Sequence, residues 1–424
     1  MRKLDASALL TSSGRTRTAM WLLHVYAGSH FSEAGYKGAV QFTTQSEKTF
    51  MKKFVYAAMT VAAIAAATSA SAQFSMSPLT TFSPSSDGWL APGEGGYTFL
   101  GTGSLERGFA YDPINSELLL VSRLGGNNIR RLNSSTGADV GALNNTGITG
   151  GTFAVNKVAV AGDGRIYVGN LQGAMGAAAP FKVYSYANNA AAPVVAFSGN
   201  ALTGARLGDS TLAVTGLGSS TRLVSGFAAA PAIAGNNGYA VIDPTAGTST
   251  TVGFVGTPPA AGDFRLGLTI GPGGQVWGNQ GSLTLRETSF SGAAGTLLGT
   301  ATGLISVAER AMAFATVNGL NVLATISTGD SFVRVYDASN PLALVLLGSG
   351  NNTLGALTSN INGTGDVAFG PQTDNGDGTT SVKLYAMSSN QGIQAFTATV
   401  PEPATGAILG LGISALVALR RSRK

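Results

Sequence analysis

A short apolar strand built around one small residue returns six times along this chain at a nearly constant interval. The copies are Gly108-Phe109-Ala110-Tyr111, Val158-Ala159-Val160, Leu212-Ala213-Val214, Leu266-Gly267-Leu268-Thr269-Ile270, Met312-Ala313-Phe314 and Val367-Ala368-Phe369. Aligned on the small residue, they lie 49, 54, 54, 46 and 55 residues apart. A period near 50 made of short strands is the pattern of a β-propeller, in which each period forms one sheet that cannot bury its faces alone.

The later strands of each period line up too. A second follows across a polar turn (Glu117 to Ser122, Arg165 to Gly169, Gly274 to Gly278, Val322 to Ile326). A third is aromatic or branched: Ile129 to Leu132, Phe181 to Tyr186, Gly238 to Ile242, Leu283 to Glu287, Phe332 to Tyr336, Ile393 to Phe396. A short fourth appears at Pro193 to Phe197, Thr250 to Phe254, Gly295 to Leu298 and Leu342 to Leu347. The last period lacks its fourth strand, whereas Gly96 to Gly101 resembles a fourth strand with no blade before it. Pairing the two would remove two free sheet edges. The expected fold is therefore all-β: a propeller of six four-stranded blades over residues 95–399, closed by an N-terminal strand. Seven blades or an irregular β-sandwich are the alternatives.

Residue types narrow the chemistry. Cysteine is absent, and both histidines, His24 and His30, precede residue 50. No Ser-His-Asp triad, Cys nucleophile, His- or Cys-bound zinc or His-bound haem can form in the body. The chain carries +5 overall, but residues 73–400 hold 14 basic and 17 acidic side chains. The positive balance belongs to the ends, so no nucleic-acid partner is expected. Asp374-Asn375-Gly376-Asp377-Gly378 has the composition of a calcium loop, yet position 12 of that register is Leu384, and a hairpin tip explains it better. No metal or cofactor site is expected.

Arginine recurs just before the innermost-type strand, at Arg107, Arg206, Arg265 and Arg310, with Glu106-Arg107 repeated as Glu309-Arg310. At one mouth of a central channel, such guanidinium groups could bind an anionic sugar or carboxylate. Ion pairs with Glu106, Asp209, Asp263 and Glu309 that tie blades together account for the same residues. Trp89 and Trp277 could stack on sugar rings, although Trp277 sits inside a strand, where packing is the simpler role.

The ends carry another kind of pattern. Met51-Lys52-Lys53 opens a basic segment, Phe54 to Ala67 is apolar, and Ala70-Ser71-Ala72 offers a small-x-small cleavage site. Residues 51–72 are expected to be a signal peptide, with the mature chain starting at Gln73 and a linker over 73–94. Residues 1–50 are then expected to come from a misplaced upstream start codon; a long n-region or a real extension competes with that explanation. At the other end stand Pro401, Glu402 and Pro403, the uncharged stretch Ala404 to Leu419, and the cluster Arg420, Arg421, Arg423 and Lys424. The prolines hold an extended segment, the apolar stretch partitions into a bilayer, and the basic cluster stays cytoplasmic.

This order over 400–424 resembles the PEP-CTERM sorting signal of Gram-negative exosortase substrates. The resemblance implies export through the Sec machinery, a C-terminal transmembrane helix (404–419) held briefly in the inner membrane, and exosortase processing near 401–403. It also implies a final place at the cell surface, in the outer envelope or in an exopolysaccharide or biofilm matrix. The apolar stretch is shorter than a usual spanning helix of about 20 residues, which suits a sorting helix better than a permanent anchor. The low-charge, repetitive body resembles domains of unknown function found in PEP-CTERM proteins.

Two function classes fit. In one, the propeller is a non-catalytic binding or structural module for an envelope polysaccharide or protein. In the other, it is a polysaccharide lyase or hydrolase working through carboxylates or Tyr. The absence of His and of any marked carboxylate pair favours the first.

Overall fold

In the computed structural model, which describes residues 75–401 apart from 257, 280–283, 307 and 356, the repeats form six antiparallel sheets. Blade 1 holds Glu106–Asp112, Glu117–Ser122, Asn128–Asn133 and Asp139–Ala142. Blade 2 holds Phe153–Val160, Ile166–Leu171, Phe181–Tyr186 and Val194–Gly199. Blade 3 holds Ala213–Thr215, Arg222–Gly226, Tyr239–Asp243 and Thr248–Val252. Blade 4 holds Leu268–Ile270, Val276–Gly278, Thr284–Ser291 and Ala294–Thr302. Blade 5 holds Glu309–Val317, Leu320–Ser327, Val333–Asp337 and Val345–Gly350. Blade 6 holds Gly365–Asp374, Thr379–Ser388 and Ile393–Pro401, and takes its outer strand, Ser75–Pro78, from the start of the ring.

The core is six apolar layers, each pressed between neighbouring blades. In blade 1, Leu119 and Val121 face blade 2, while Leu118 and Leu120 face blade 6. Successive residues of a strand point to opposite faces, so a strand covered on both sides reads as an unbroken apolar run. In blade 3, Ala240 and Ile242 pack toward blade 2 and Tyr239 and Val241 toward blade 4. Trp277 is fully buried between blades 4 and 5 and is thus a packing residue. Burying a large apolar side chain stabilises by about 1.5–3 kcal/mol, and these layers supply the staple that disulfides would otherwise provide.

The ring closes with an N-terminal strand as expected, but with an earlier one. Ser75 pairs with Thr399 and Pro78 with Phe396, and Trp89 and Leu90 extend the seam to Gln394 and Ile393. The ring therefore begins inside the stretch 73–94 expected as a linker. Gly96 to Gly101 is not a strand: Gly93, Gly95 and Gly96 adopt positive φ (78°, 65° and 75°) and coil the chain into a turn. Tyr97 then stacks on Phe99, and Phe99 and Leu100 plug the layer between blades 6 and 1.

The tip 375–378 joins two strands of blade 6, as a hairpin should. Among the described residues no helix is long and apolar enough to cross a membrane. Residues 1–50, the signal segment with Ala70 and Ala72, and the sorting segment from Glu402 and Pro403 through 404–419 to Arg420, Arg421, Arg423 and Lys424 lie outside the described residues.

Candidate functional site

The six innermost strands surround an axial cavity of about 270 Å³. Its wall includes Ala110, Ala159, Ala213, Ala313 and Ala368, the small residues on which the repeats align. Blade 4 departs from the alignment: Thr269 stands on the wall, and Gly267 lies just before the strand, where a Cβ would stand 2.0 Å from the Arg310 carbonyl oxygen and 2.6 Å from that of Asn279.

Where these strands begin, charge collects. The Glu-Arg repeat corresponds to one device used twice: the ladder slips between Glu106 and Gly108, and again between Glu309 and Ala311. A β-bulge of this kind takes one residue out of register and re-aims its side chain, here Arg107 and Arg310. Arg107 is 9 % exposed and its Nη1 donates to Thr364 Oγ1 at 3.0 Å. Burial lowers its pKa; Asp209 opposes that effect and the neighbouring Arg206 charge adds to it. Arg310 reaches the loop before blade 6, where Gly363 leaves it room. Burial and the nearby Arg265 charge lower its pKa as well.

Arg206 and Arg265 meet on one carboxylate. Arg206 donates from Nε to Asp209 Oδ2 (3.1 Å) and from Nη2 to Oδ1 (2.7 Å), while Arg265 Nε donates to Oδ2. Burial pushes the Asp209 carboxyl up, but the two guanidinium groups outweigh it and hold the pKa below the ordinary value. The four sequence-predicted arginines thus stand at or just before the starts of the innermost strands, with Arg107 in electrostatic reach of Arg206 and Arg310 of Arg265.

Their pairing differs from expectation in three of four cases. Arg206 takes Asp209 as expected, but Arg265 takes Asp209 too, and Asp263 pairs with Arg286 at 2.9 Å. Glu309 accepts from Thr325 Oγ1 (2.6 Å) and Tyr336 OH (2.7 Å) and pairs with Arg334, away from Arg310. Glu106 Oε1 accepts from the Gly101 amide at 2.8 Å. The bulge re-aims the Arg of each doublet, so that its neighbouring Glu takes other partners.

Sequence reasoning missed a second pair, deeper in the cavity. Lys157 of blade 2 is 2 % exposed, and its Nζ donates to Asp366 Oδ2 of blade 6 at 2.5 Å. Its aliphatic stem runs past Gly108 of blade 1, where a Cβ would stand 3.0 Å from Lys157 Cδ. A signal existed: each residue lies two positions before the aligned alanine of its repeat, at Ala159 and Ala368. Burial raises the Asp366 pKa, against the pull of Lys157. Arg123 flanks the mouth with its guanidinium 3.4 Å over the Phe153 ring; burial, with the Arg107 charge, lowers its pKa to about 10.

Chemically, this is a mouth rich in fixed cations above a small-walled cavity. Asp366 is the one carboxylate among the described residues lining that cavity, and Lys157 engages it. Such a mouth suits recognition of anionic groups, whereas glycoside hydrolysis by paired carboxylates needs a second free carboxyl group nearby.

Comparison with known proteins agrees with this architecture. Residues 62–277 match the model of a family described as a domain of unknown function, DUF4623. Residues 399–424 match the PEP-CTERM protein-sorting motif. The crystal structure of a DUF4623 family protein from Bacteroides eggerthii is similar with a TM-score of 0.52 and 18% identity, covering 71% of either chain. A gluconolactonase from Xanthomonas campestris is similar with a TM-score of 0.43 and 14% identity, covering 70% of this chain and 86% of that one. A periplasmic gluconolactonase from Pseudomonas aeruginosa reaches 0.37 at 14% identity, covering 70% and 85%. Of these likenesses the DUF4623 structure alone bears on the architecture, and on the fold only. No curated protein matches the chain. The sorting motif implies an exported protein, bound for the envelope or surface and processed by an exosortase during export.

Proposed function

The chain belongs to the DUF4623 family, and with the sorting motif as its address we propose that it is a surface or matrix protein whose propeller binds an envelope polysaccharide without turning it over. One observation supports this reading: arginines scattered over two hundred residues of sequence come together, Arg206 and Arg265 on one carboxylate, Arg107 close enough to feel Arg206 and Arg310 close enough to feel Arg265. Gathering like charges costs stability unless something is gained, and an acidic glycan supplies the missing counter-charge. Signal cleavage after Ala72, tail processing at Pro401-Glu402-Pro403 and brief anchoring by 404–419 complete the route outward. The lyase or hydrolase alternative is weaker, because the cavity's carboxylate is already bound to Lys157.

A panel of neutral and acidic polysaccharides, offered to the purified protein for binding and for turnover, tests the reading. We expect salt-sensitive binding to acidic polymers and no products. Turnover of any of them overturns it. Deleting residues 401–424 and fractionating cells tests the address; a tailless protein that still reaches the surface refutes that part.

A further inference from the structure

We propose that Asp209 is a positioning residue that holds Arg206 and Arg265 as a preset two-guanidinium clamp for the carboxylates of a uronate-bearing polysaccharide. This rests on the binding function proposed above and names its ligand class. Asp209 is nearly covered, with its side chain 5 % exposed, whereas Arg206 and Arg265 remain 32% and 31% exposed. The carboxylate is covered while the two cations that hold it keep about a third of their surface open to solvent. Each guanidinium has five N–H donors. Arg206 spends one edge on Asp209 and Arg265 only its Nε, and neither donates to another side chain among the described residues.

The base of the clamp is rigid. Buried Asn156 donates from Nδ2 to the carbonyl oxygens of Gly208 (2.6 Å) and Asp209 (2.7 Å). Gly208 has φ 76°, and a Cβ there would stand 2.2 Å from the Asn170 carbonyl oxygen, so this backbone has one way to lie. Beside the clamp, two buried polar atoms lack partners among the described residues: Ser210 Oγ, of a residue on the cavity wall, and Arg107 Nε. Buried polar groups are normally satisfied, so two unpaired ones beside exposed cations are consistent with a polar group being bound nearby.

Two cations and one anion leave a single positive charge on the clamp, matched to a monoanionic group. The planar guanidinium edge offers two parallel N–H bonds that suit a planar carboxylate, as Arg206 demonstrates on Asp209 itself. Holding both side chains in place beforehand removes the ordering cost that a flexible arginine meets on binding.

The position of Asp209 yields a test of sign. Asp209→Asn adds a positive charge to the mouth, so attraction alone would tighten binding to every polyanion. Positioning predicts the opposite for uronates. Full-length protein is titrated with oligogalacturonate, dextran sulfate and neutral dextran by calorimetry at two salt concentrations. We expect wild-type binding to oligogalacturonate in preference to dextran sulfate. For D209N we expect roughly tenfold weaker oligogalacturonate binding with dextran sulfate binding unchanged or tighter. Equal or tighter oligogalacturonate binding by D209N overturns the positioning role while leaving the binding function intact. Wild-type preference for dextran sulfate overturns the uronate assignment. Failure of the wild type to bind any of the three ends both. If D209N does not fold, Arg265→Lys, which keeps the charge but loses the fork, gives the same reading: tenfold weakening supports the clamp and unchanged affinity refutes it.

Discussion

Replacing Asp366 by Asn should destabilise the ring by about 3 kcal/mol. The substitution takes away the counter-charge of the Lys157 ammonium, 2 % exposed, and leaves it neutral acceptors alone: the new amide oxygen and the carbonyl oxygens of Arg107 and Gly365 at 3.4 Å. Removing one partner of a buried pair costs about 3–5 kcal/mol. The Asp366 side chain is 20% exposed to the cavity, which sets the expectation at the lower end. Unfolding entropy of about 2.1 cal/mol/K per residue over about 330 residues gives about 0.7 kcal/mol/K, so the melting temperature should fall by about 4 °C. Lys157→Met tests the other partner and adds a pH signature. The Asp366 pKa is already raised by burial against the pull of Lys157, and it rises further without that ammonium. A raised carboxyl pKa means that the folded state holds the proton more tightly than the unfolded chain. The penalty is therefore present at neutral pH and fades as pH falls through the folded-state pKa toward the ordinary value of 3.8. K157M should lose stability at about pH 7.5 and recover most of it at about pH 4.5. The double change K157M/D366L should come close to the wild type, because an apolar pair leaves no stranded charge. Denaturant unfolding followed by tryptophan fluorescence, with Trp277 as a buried probe, reads all four proteins. Strictly additive single losses, or single losses both below about 0.5 kcal/mol, refute the reasoning.

Other expectations concern the packing and closure of the ring. Gly267→Ala should cost more than about 3 kcal/mol, since its Cβ meets backbone oxygen at 2.0 Å, and a melting temperature within about 1 °C of wild type would contradict it. Tyr336→Phe removes a hydroxyl that donates to buried Glu309 at 2.7 Å and should cost about 1–2 kcal/mol in a denaturant titration, because Thr325 still serves that carboxylate. Asp209 has a depressed pKa: burial pushes it up, but Arg206 and Arg265 prevail. Its stabilising share is present above the unfolded value and lost as pH falls through the folded one, so D209N should flatten the melting curve's pH dependence below about pH 4. Deleting residues 75–78 should expose the edge of Ile393–Pro401, and hydrogen exchange should accelerate in blade 6 before the other blades.

The blades were legible because their geometry forces a pattern. Strands crowding one axis favour a small residue at the same place, an alanine in five of the six, and strands buried on both faces require runs such as Leu118 to Val121. The closing strand was not legible. Ser75–Pro78 reads Ser-Met-Ser-Pro, an outer strand with one apolar side chain turned to the core, whereas Tyr97 to Leu100 has the residues of a strand and packs as a plug. Burial rewards both segments alike, and only the glycines at 93, 95 and 96 tell them apart. At the mouth, the four arginines were visible as repeat positions, but their partners were not. Whether Arg265 turns to Asp263 or to Asp209 depends on which loops the ring places side by side, and sequence adjacency carries no such information.

The seam of the ring also has a mechanical consequence. Ser75 lies opposite Thr399, so the two ends of the closed ring leave from the same end of neighbouring antiparallel strands. A force drawn between those ends peels the seam open one residue pair at a time, whereas a force along the strands would have to shear several hydrogen bonds together. Load borne through one end and the body of the ring passes through the blades and spares the seam. A protein of this build withstands tension while held by a single tether, and a second tether at its other end turns the same pull into an opening force.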